Sequence, residues 1–205
     1  MWTLGAGGRQ PGCPRLDNAM NAFELKSPDS VDEAIQLLRQ YGDEAKVIAG
    51  GTALVVMMTQ RLVQPSCLVS LQRVTGLNRI EPQNGHIAIG ALATHRDVET
   101  SPLIKEHIPV LAETYHHVAT LRIRNVATAG GGLAHADPNQ DPPVTLIALG
   151  ARVRIVGPEG EREVPLDKFF VDYYETVIRP DELLTGVIVP VLPTDGSTES
   201  TCVVA

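Results

Sequence analysis

Between residues 20 and 75 the apolar positions alternate between short runs and helical spacings. Phe23-Glu24-Leu25 predicts a short first strand. Ser30-Val31-Asp32-Glu33 has the form of a capping box, in which the serine oxygen accepts a backbone N–H and Glu33 reaches back. Val31, Ala34, Ile35 and Leu38 then recur at helical spacing until Gly42 stops the helix. A strand over 46–49 runs into Gly50-Gly51, a helix follows over 53–62, and 67–71 is the next strand. This β-α-β-loop-α-β order predicts a small parallel sheet.

The pattern changes after residue 76. Asn84-Gly85, the strongest hairpin signal in the chain, lies between strands at 79–81 and 86–90. Thr94 is placed to cap a helix over 95–101, and a further helix is expected over 109–120. A glycine loop at 128–132 leads to a short helix over 142–149. A strand over 152–156 turns at 157–160 toward Glu163-Val164, a short helix or turn is expected over 167–174, and 182–189 reads as the last strand. The chain therefore divides into an unstructured extension (1–19), a first α+β lobe (20–75), a second lobe (76–192) and a polar tail (193–205), with the boundary between lobes near 73–80.

Composition narrows the class. The chain is 43% hydrophobic and 20% charged, which suits a globular α+β fold, and its net charge of -7 leaves no basic surface to neutralise phosphates, so nucleic acid is not an expected partner. Cys13, Cys67 and Cys202 form no CxxC pair, which argues against a disulfide framework or a cysteine-ligated metal and favours a reducing cytoplasm. No apolar run is long enough to span a membrane.

Two glycine segments carry the candidate chemistry. In Ala49-Gly50-Gly51-Thr52-Ala53 a strand ends on glycines and a helix follows at once. Backbone N–H groups there can approach an anion closely, and the helix start adds unpaired donors. A phosphate or pyrophosphate is the natural guest, although a glycine turn that merely joins strand to helix has the same sequence. The second segment, Thr128-Ala129-Gly130-Gly131-Gly132, places three consecutive glycines where each costs backbone entropy, which a close approach to a ligand would explain, although a flexible surface loop has the same composition. Its amides and Thr128 are expected to donate to phosphate or ribityl oxygens, with Asp137 and Asp141 accepting from hydroxyls. There is no GxxxxGK[ST] and no complete GxGxxG, so neither a P-loop nor a Rossmann site is supported.

Both segments, with Ile89-Gly90-Ala91, Thr94 and Arg124-Asn125 in order between them, resemble the FAD-binding medium subunit of the carbon monoxide dehydrogenase and xanthine dehydrogenase (molybdenum hydroxylase) family. The resemblance covers residues 20–191. It implies the two-lobed α+β FAD-binding fold of the vanillyl-alcohol-oxidase (PCMH) type, with FAD extended between the lobes. Ala49, Gly50, Gly51, Thr52, Ala53, Thr128, Ala129, Gly130, Gly131 and Gly132 would be the principal contacts, joined by Asp141. It also implies an electron-transfer role, from an iron–sulfur small subunit that serves a molybdenum-cofactor large subunit to an external acceptor. Three positions depart from the family pattern: a polar residue is usual where Ala53 stands, isoleucine or a similar residue where Ala129 stands, and asparagine where Gly132 stands. Losing that asparagine removes a hydrogen bond of roughly 0.5–1.5 kcal/mol. The family's C-terminal domain is expected to be absent from this chain.

The remaining residues suggest no rival chemistry of their own. The adjacent His116 and His117 diverge around a helix and are poorly placed to ligate one metal with His135 and Asp137. Cys67 in an apolar strand reads as packing, and Phe169, Phe170, Tyr173 and Tyr174 as an aromatic cluster that either packs in the core or contacts the flavin or a partner subunit. No residue stands out as acid, base or nucleophile, which suits a protein whose cofactor carries the chemistry. The residues alone also allow a non-redox nucleotide- or phosphate-binding module, a non-functional fragment, or a stand-alone flavin oxidoreductase of the same fold.

Overall fold

Ser30 and Gly42 bracket the first helix. In the computed structural model, which describes residues 21–191, helix α1 spans Val31–Tyr41. The Ser30 hydroxyl accepts the Glu33 amide at 3.1 Å. Glu33 reaches one residue further back than a capping box requires, and its carboxylate accepts the Asp29 amide at 2.8 Å. Gly42, at φ 55°, closes the helix by donating to the Leu38 carbonyl. The extension at 1–19, the tail at 193–205, Cys13 and Cys202 lie outside the described residues.

Strands β1 (Glu24–Lys26), β2 (Ala45–Ile48) and β3 (Cys67–Ser70) form a parallel sheet in the order β1-β3-β2. Crossovers through α1 and through α2 (Leu54–Thr59) join these strands, as parallel neighbours require. Helix α1 lays Ala34, Ile35 and Leu38 against Cys67, Val69 and Leu71, and Cys67 is fully buried in this packing. Helix α2 stops at Thr59, short of the expected 62.

The second sheet is antiparallel, in the order β4-β5-β10-β6-β7. Its first pair, β4 (Ile80–Gln83) and β5 (His86–Gly90), is joined by Asn84 and Gly85, whose φ values of 48° and 78° are those of a primed hairpin turn. Strands β6 (Arg152–Gly157) and β7 (Gly160–Pro165) form the far hairpin. The last long strand, β10 (Leu183–Pro190), enters between β5 and β6, and all but its final residue are buried. One residue of β10, Leu183, packs into the core of the first sheet while Leu184 and Val187 belong to the second, so this strand ties the two cores together.

Helices α3 (His95–Thr100), α4 (Pro102–His107), α5 (Pro109–His117) and α6 (Leu121–Arg124) lie between β5 and the second glycine segment, α7 (Ala129–His135) includes that segment, and α8 (Asp141–Ala148) follows it. Thr94 caps α3 in a full capping box with Asp97. Helix α4 was not expected; Ser101 and Pro102 supply an N-cap and a proline at the first turn. Helix α5 ends at His117, three residues earlier than expected. Residues 167–174, read as a helix or turn, instead give a 3₁₀ turn at Leu166–Lys168 and then a small hairpin of β8 (Phe170–Asp172) and β9 (Glu175–Thr176). Tyr174, at φ 60°, provides its left-handed turn residue. The aromatic cluster splits: Phe169 is fully buried, whereas Tyr173 and Tyr174 are exposed.

A buried carboxylate organises the helices behind the second glycine segment. Glu99 of α3, 7% exposed, accepts from Arg124 Nε at 2.9 Å, Arg96 Nη1 at 2.7 Å and His116 Nδ1 at 2.9 Å. Arg124 also donates to the carbonyls of Val118 and Ala119, which fixes the α5–α6 turn. Burial pushes the Glu99 carboxyl up, but the hydrogen bonds from His116 and Arg96 and the charge of Arg124 outweigh it and hold the group at about 2. The folded value lies below the unfolded one, near 4.5. The stabilisation is therefore complete above about pH 4.5 and is lost as pH falls toward 2. Glu99→Gln is expected to cost about 3 kcal/mol near neutral pH, because it leaves Arg124 without its counter-charge. Urea unfolding of both proteins at pH 7 and pH 3 tests this: the gap between them should narrow at the lower pH, and an unchanged gap would remove Glu99 as its source.

Candidate functional site

The two glycine segments converge. Residues 49–53 leave the C-terminal end of β2, and the chain before α7 passes directly over them: a Cβ on Gly50 would sit 2.1 Å from the Val126 carbonyl oxygen. No side chain fits there, and Gly51 turns away at φ 71°. On the other side, Gly130 lies against the backbone that follows β5, where its Cβ would meet the Ala91 Cα at 2.8 Å. Thr94 and Thr128, the caps of α3 and α7, form an isolated antiparallel bridge, flanked by hydrogen bonds from His95 N–H to the Ala127 carbonyl and from Ala129 N–H to the Ala93 carbonyl. Backbone contacts alone thus pin both segments to one place.

The second segment is not a loop. Residues 129–135 are helical, Thr128 is the N-cap, and the three glycines occupy the first turns. Glycine weakens a helix by roughly 1 kcal/mol relative to alanine, so the run reflects space rather than helix preference. Its amides are also engaged: Ala129 donates to Ala93, Gly130 to Ala91, Gly131 to the Thr128 hydroxyl and Gly132 to the Thr128 carbonyl. The expectation that the Gly130–Gly132 amides are free to donate to a ligand therefore meets an internal hydrogen-bond pattern, while the Thr128 hydroxyl only accepts in it, from Gly131. The first segment behaves oppositely. No described residue accepts a hydrogen bond from the amides of Gly50, Gly51, Thr52 or Ala53.

Between the segments lies a cleft of about 450 Å³, within the range of small-molecule sites, roughly 300–1,000 Å³. Ala49, Gly50, Gly51, Thr52, Ala53, Thr128, Gly130, Gly131 and Gly132 all line it. Ala129 is buried behind the wall, and Asp141 is exposed at the start of α8, outside the lining. Asp137 is occupied in a local turn, its carboxylate accepting from both nitrogens of Asn139. His116 and His117 bond Glu99 and Glu113, and His135 packs on Tyr174.

Two further residues of the lining, His95 and Gln140, are not singled out from sequence, and Tyr174 of the expected aromatic cluster also lines it. His95 is 6% exposed, packs edge-on to the buried Tyr115, and its Nδ1 has no hydrogen-bond partner among the described residues. Burial pushes its pKa down to about 4, so the imidazole is neutral at physiological pH. Its one sequence signal was its place directly after the capping Thr94. Glu182, also in the lining, is held by Arg162 at 2.9 and 2.7 Å and by the Arg179 amide at 2.8 Å, and so is committed to structure.

The geometry separates the glycines by what they face. Gly50→Ala drives a Cβ into backbone and is expected to cost about 2 kcal/mol or more. Gly132→Ala meets the end of the Gln140 side chain at 3.0 Å and His95 Nε2 at an ordinary 3.6 Å, inside a helix, and is expected to leave stability unchanged or slightly raised. Thermal denaturation of the two variants checks the contrast; equal losses would show that the Val126 contact is not what requires Gly50.

Comparison with known proteins agrees with this arrangement. The 6-hydroxypseudooxynicotine dehydrogenase complex subunit alpha of Paenarthrobacter nicotinovorans is 43% identical over 172 residues, covering 84% of this chain and 58% of the relative. The carbon monoxide dehydrogenase medium chain of Hydrogenophaga pseudoflava is 38% identical over 168 residues, covering 82% and 58%. In structure, carbon monoxide dehydrogenase from Hydrogenophaga pseudoflava lacking the Mo-pyranopterin moiety superposes with a TM-score of 0.84 at 37% identity, covering 86% of this chain and 61% of that one. Quinoline 2-oxidoreductase from Pseudomonas putida 86 gives 0.82 at 36% identity, covering 85% and 61%. The chain thus spans about three fifths of the length of these relatives. Residues 21–192 match the family described as the FAD binding domain in molybdopterin dehydrogenase, and with these identities the chain belongs to that family.

Proposed function

We propose that this chain is the FAD-binding part of an electron-transfer subunit in a molybdenum-containing hydroxylase or dehydrogenase, relaying electrons from iron–sulfur clusters to an external acceptor. The observation that carries the reading is the set of four consecutive amides, Gly50 to Ala53, that line the cleft and have no acceptor among the described residues. An oxygen-rich anionic chain such as the pyrophosphate of FAD would satisfy them, since backbone donors near a concave surface are the usual answer to phosphate charge. Helix α2 adds little to this because it has only six residues. When bound, FAD supplies the redox chemistry, accepting and releasing electrons. The residues of the chain hold and enclose it: the first segment offers donors, while α7 offers a wall close enough for contact because its glycines carry no side chains. The neutral His95 adds no charge to the cleft. Thr128 and Gly130–Gly132 are assigned to that wall, and Ala129 supports it from behind. Asp141 is assigned no direct contact.

The partners in this reading are an iron–sulfur small subunit and a molybdenum-cofactor large subunit, and the compartment is the cytoplasm. No helix among the described residues is long and apolar enough to cross a membrane.

Adding FAD to the purified chain and following quenching of flavin fluorescence is expected to show saturable one-site binding, with competition by pyrophosphate. Thr52→Asp, which sets a carboxylate beside the free amides, should weaken binding at least about tenfold, whereas Thr52→Ser should bind as the parent does. A chain that ignores FAD defeats the proposal. Indifference to Thr52→Asp removes the pyrophosphate from the first segment.

A further inference from the structure

Gln140 occupies the N-cap of α8 but does not cap it. Its side chain makes no hydrogen bond to the start of that helix, at a position where Asn, Asp, Ser or Thr would be worth about 1 kcal/mol. It turns back across the cleft to α7 instead. There Nε2 donates to the Gly132 carbonyl at 3.3 Å, and Oε1 stands 3.0 Å from the point where a Cβ on Gly132 would lie. His95 Nε2 approaches the same point at 3.6 Å. The absent side chain at residue 132 thus leaves a recess that two polar groups face, Gln140 Oε1 and His95 Nε2, the latter on a buried ring.

We propose that Gln140 is a cofactor-binding residue of this chain, whose amide stands in the recess opened by Gly132 and bonds an oxygen of the FAD chain there. The inference rests on the proposed FAD-binding role and adds to it a side-chain contact. An amide suits this place. One N–H of Nε2 is committed to the Gly132 carbonyl, which fixes the orientation. The second N–H and the carbonyl remain to bond a phosphate, ribityl or ribose oxygen, as donor or acceptor. Neutral His95 completes an uncharged polar wall that neither repels phosphate nor needs a counter-ion. An asparagine placed at position 132 would bring a comparable amide to this recess from α7; here a glutamine brings one from α8.

A four-protein FAD titration tests this, using the 205-residue chain, Gln140→Ala, Gly132→Asn and the double variant. Gln140→Ala is expected to weaken FAD binding about two- to tenfold while leaving the melting temperature of the cofactor-free chain unchanged. Gly132→Asn alone forces its Cβ toward Gln140 Oε1 and should not tighten binding. In the Gln140→Ala background the same substitution should restore affinity to near the parent value, a repair that a purely structural role for Gln140 would not produce. If Gln140→Ala binds FAD as the parent does, or if Gly132→Asn fails to repair a loss, the proposal is overturned. If the parent itself fails to bind FAD, the proposed function falls first, and the two failures are told apart by that control.

Discussion

The contact of Gly50 with the backbone at Val126–Ala127 is the constraint on which the site depends. Two chain segments almost eighty residues apart meet there with no side chain between them. A single Cβ would overlap a carbonyl oxygen at 2.1 Å, so the approach exists only while residue 50 is glycine. Gly130 repeats the device against Ala91, and the Thr94–Thr128 bridge locks the two helix caps in register. Because these contacts are between backbones, they set the width of the cleft more rigidly than side chains with rotamer freedom could.

The surrounding structure serves that contact. Strand β10 carries Leu183 into one core and Leu184 and Val187 into the other, so the sheets that bear the two glycine segments cannot move apart without exposing both. Glu99 holds Arg124, Arg96 and His116, and Arg124 in turn fixes the turn at Val118 and Ala119 from which the chain enters α6 and then Val126. A buried carboxylate with one buried and two half-exposed partners is weak as a source of net stability but effective at fixing a geometry, since any other placement strands a charge.

The two glycine segments have opposite roles, which their sequences do not reveal. The run of three glycines looks like a cradle of donors, yet the amides of Ala129, Gly130, Gly131 and Gly132 are all paired within the chain, and its contribution is a bare surface. The shorter Gly50-Gly51 pair holds donors with no acceptor among the described residues. The division of labour has a simple physical origin. The first amides of a helix have no partner within it, and here Ala129 and Gly130 find theirs in the backbone of residues 91–93 and Gly131 in its own cap, whereas no described residue accepts from the amides of residues 50–53.

Much of the fold was written in local patterns. Ser30 and Gly42 bounded α1, Asn84-Gly85 fixed a hairpin and Thr94 announced α3, because capping and turn geometry act over a few residues, and the alternation of strand and helix made the first sheet parallel. The order and spacing of the glycine segments also sufficed to point to a flavin domain of the molybdenum hydroxylases. Only the tertiary structure decided that 129–135 is helix, that 170–176 is a hairpin, that Asp141 faces outward and Gln140 inward, and that a histidine after a cap residue ends buried at the cleft wall. Those outcomes depend on which segments come to lie together across long stretches of chain, and the energy of a contact between Gly50 and Val126 appears nowhere in the neighbourhood of either residue.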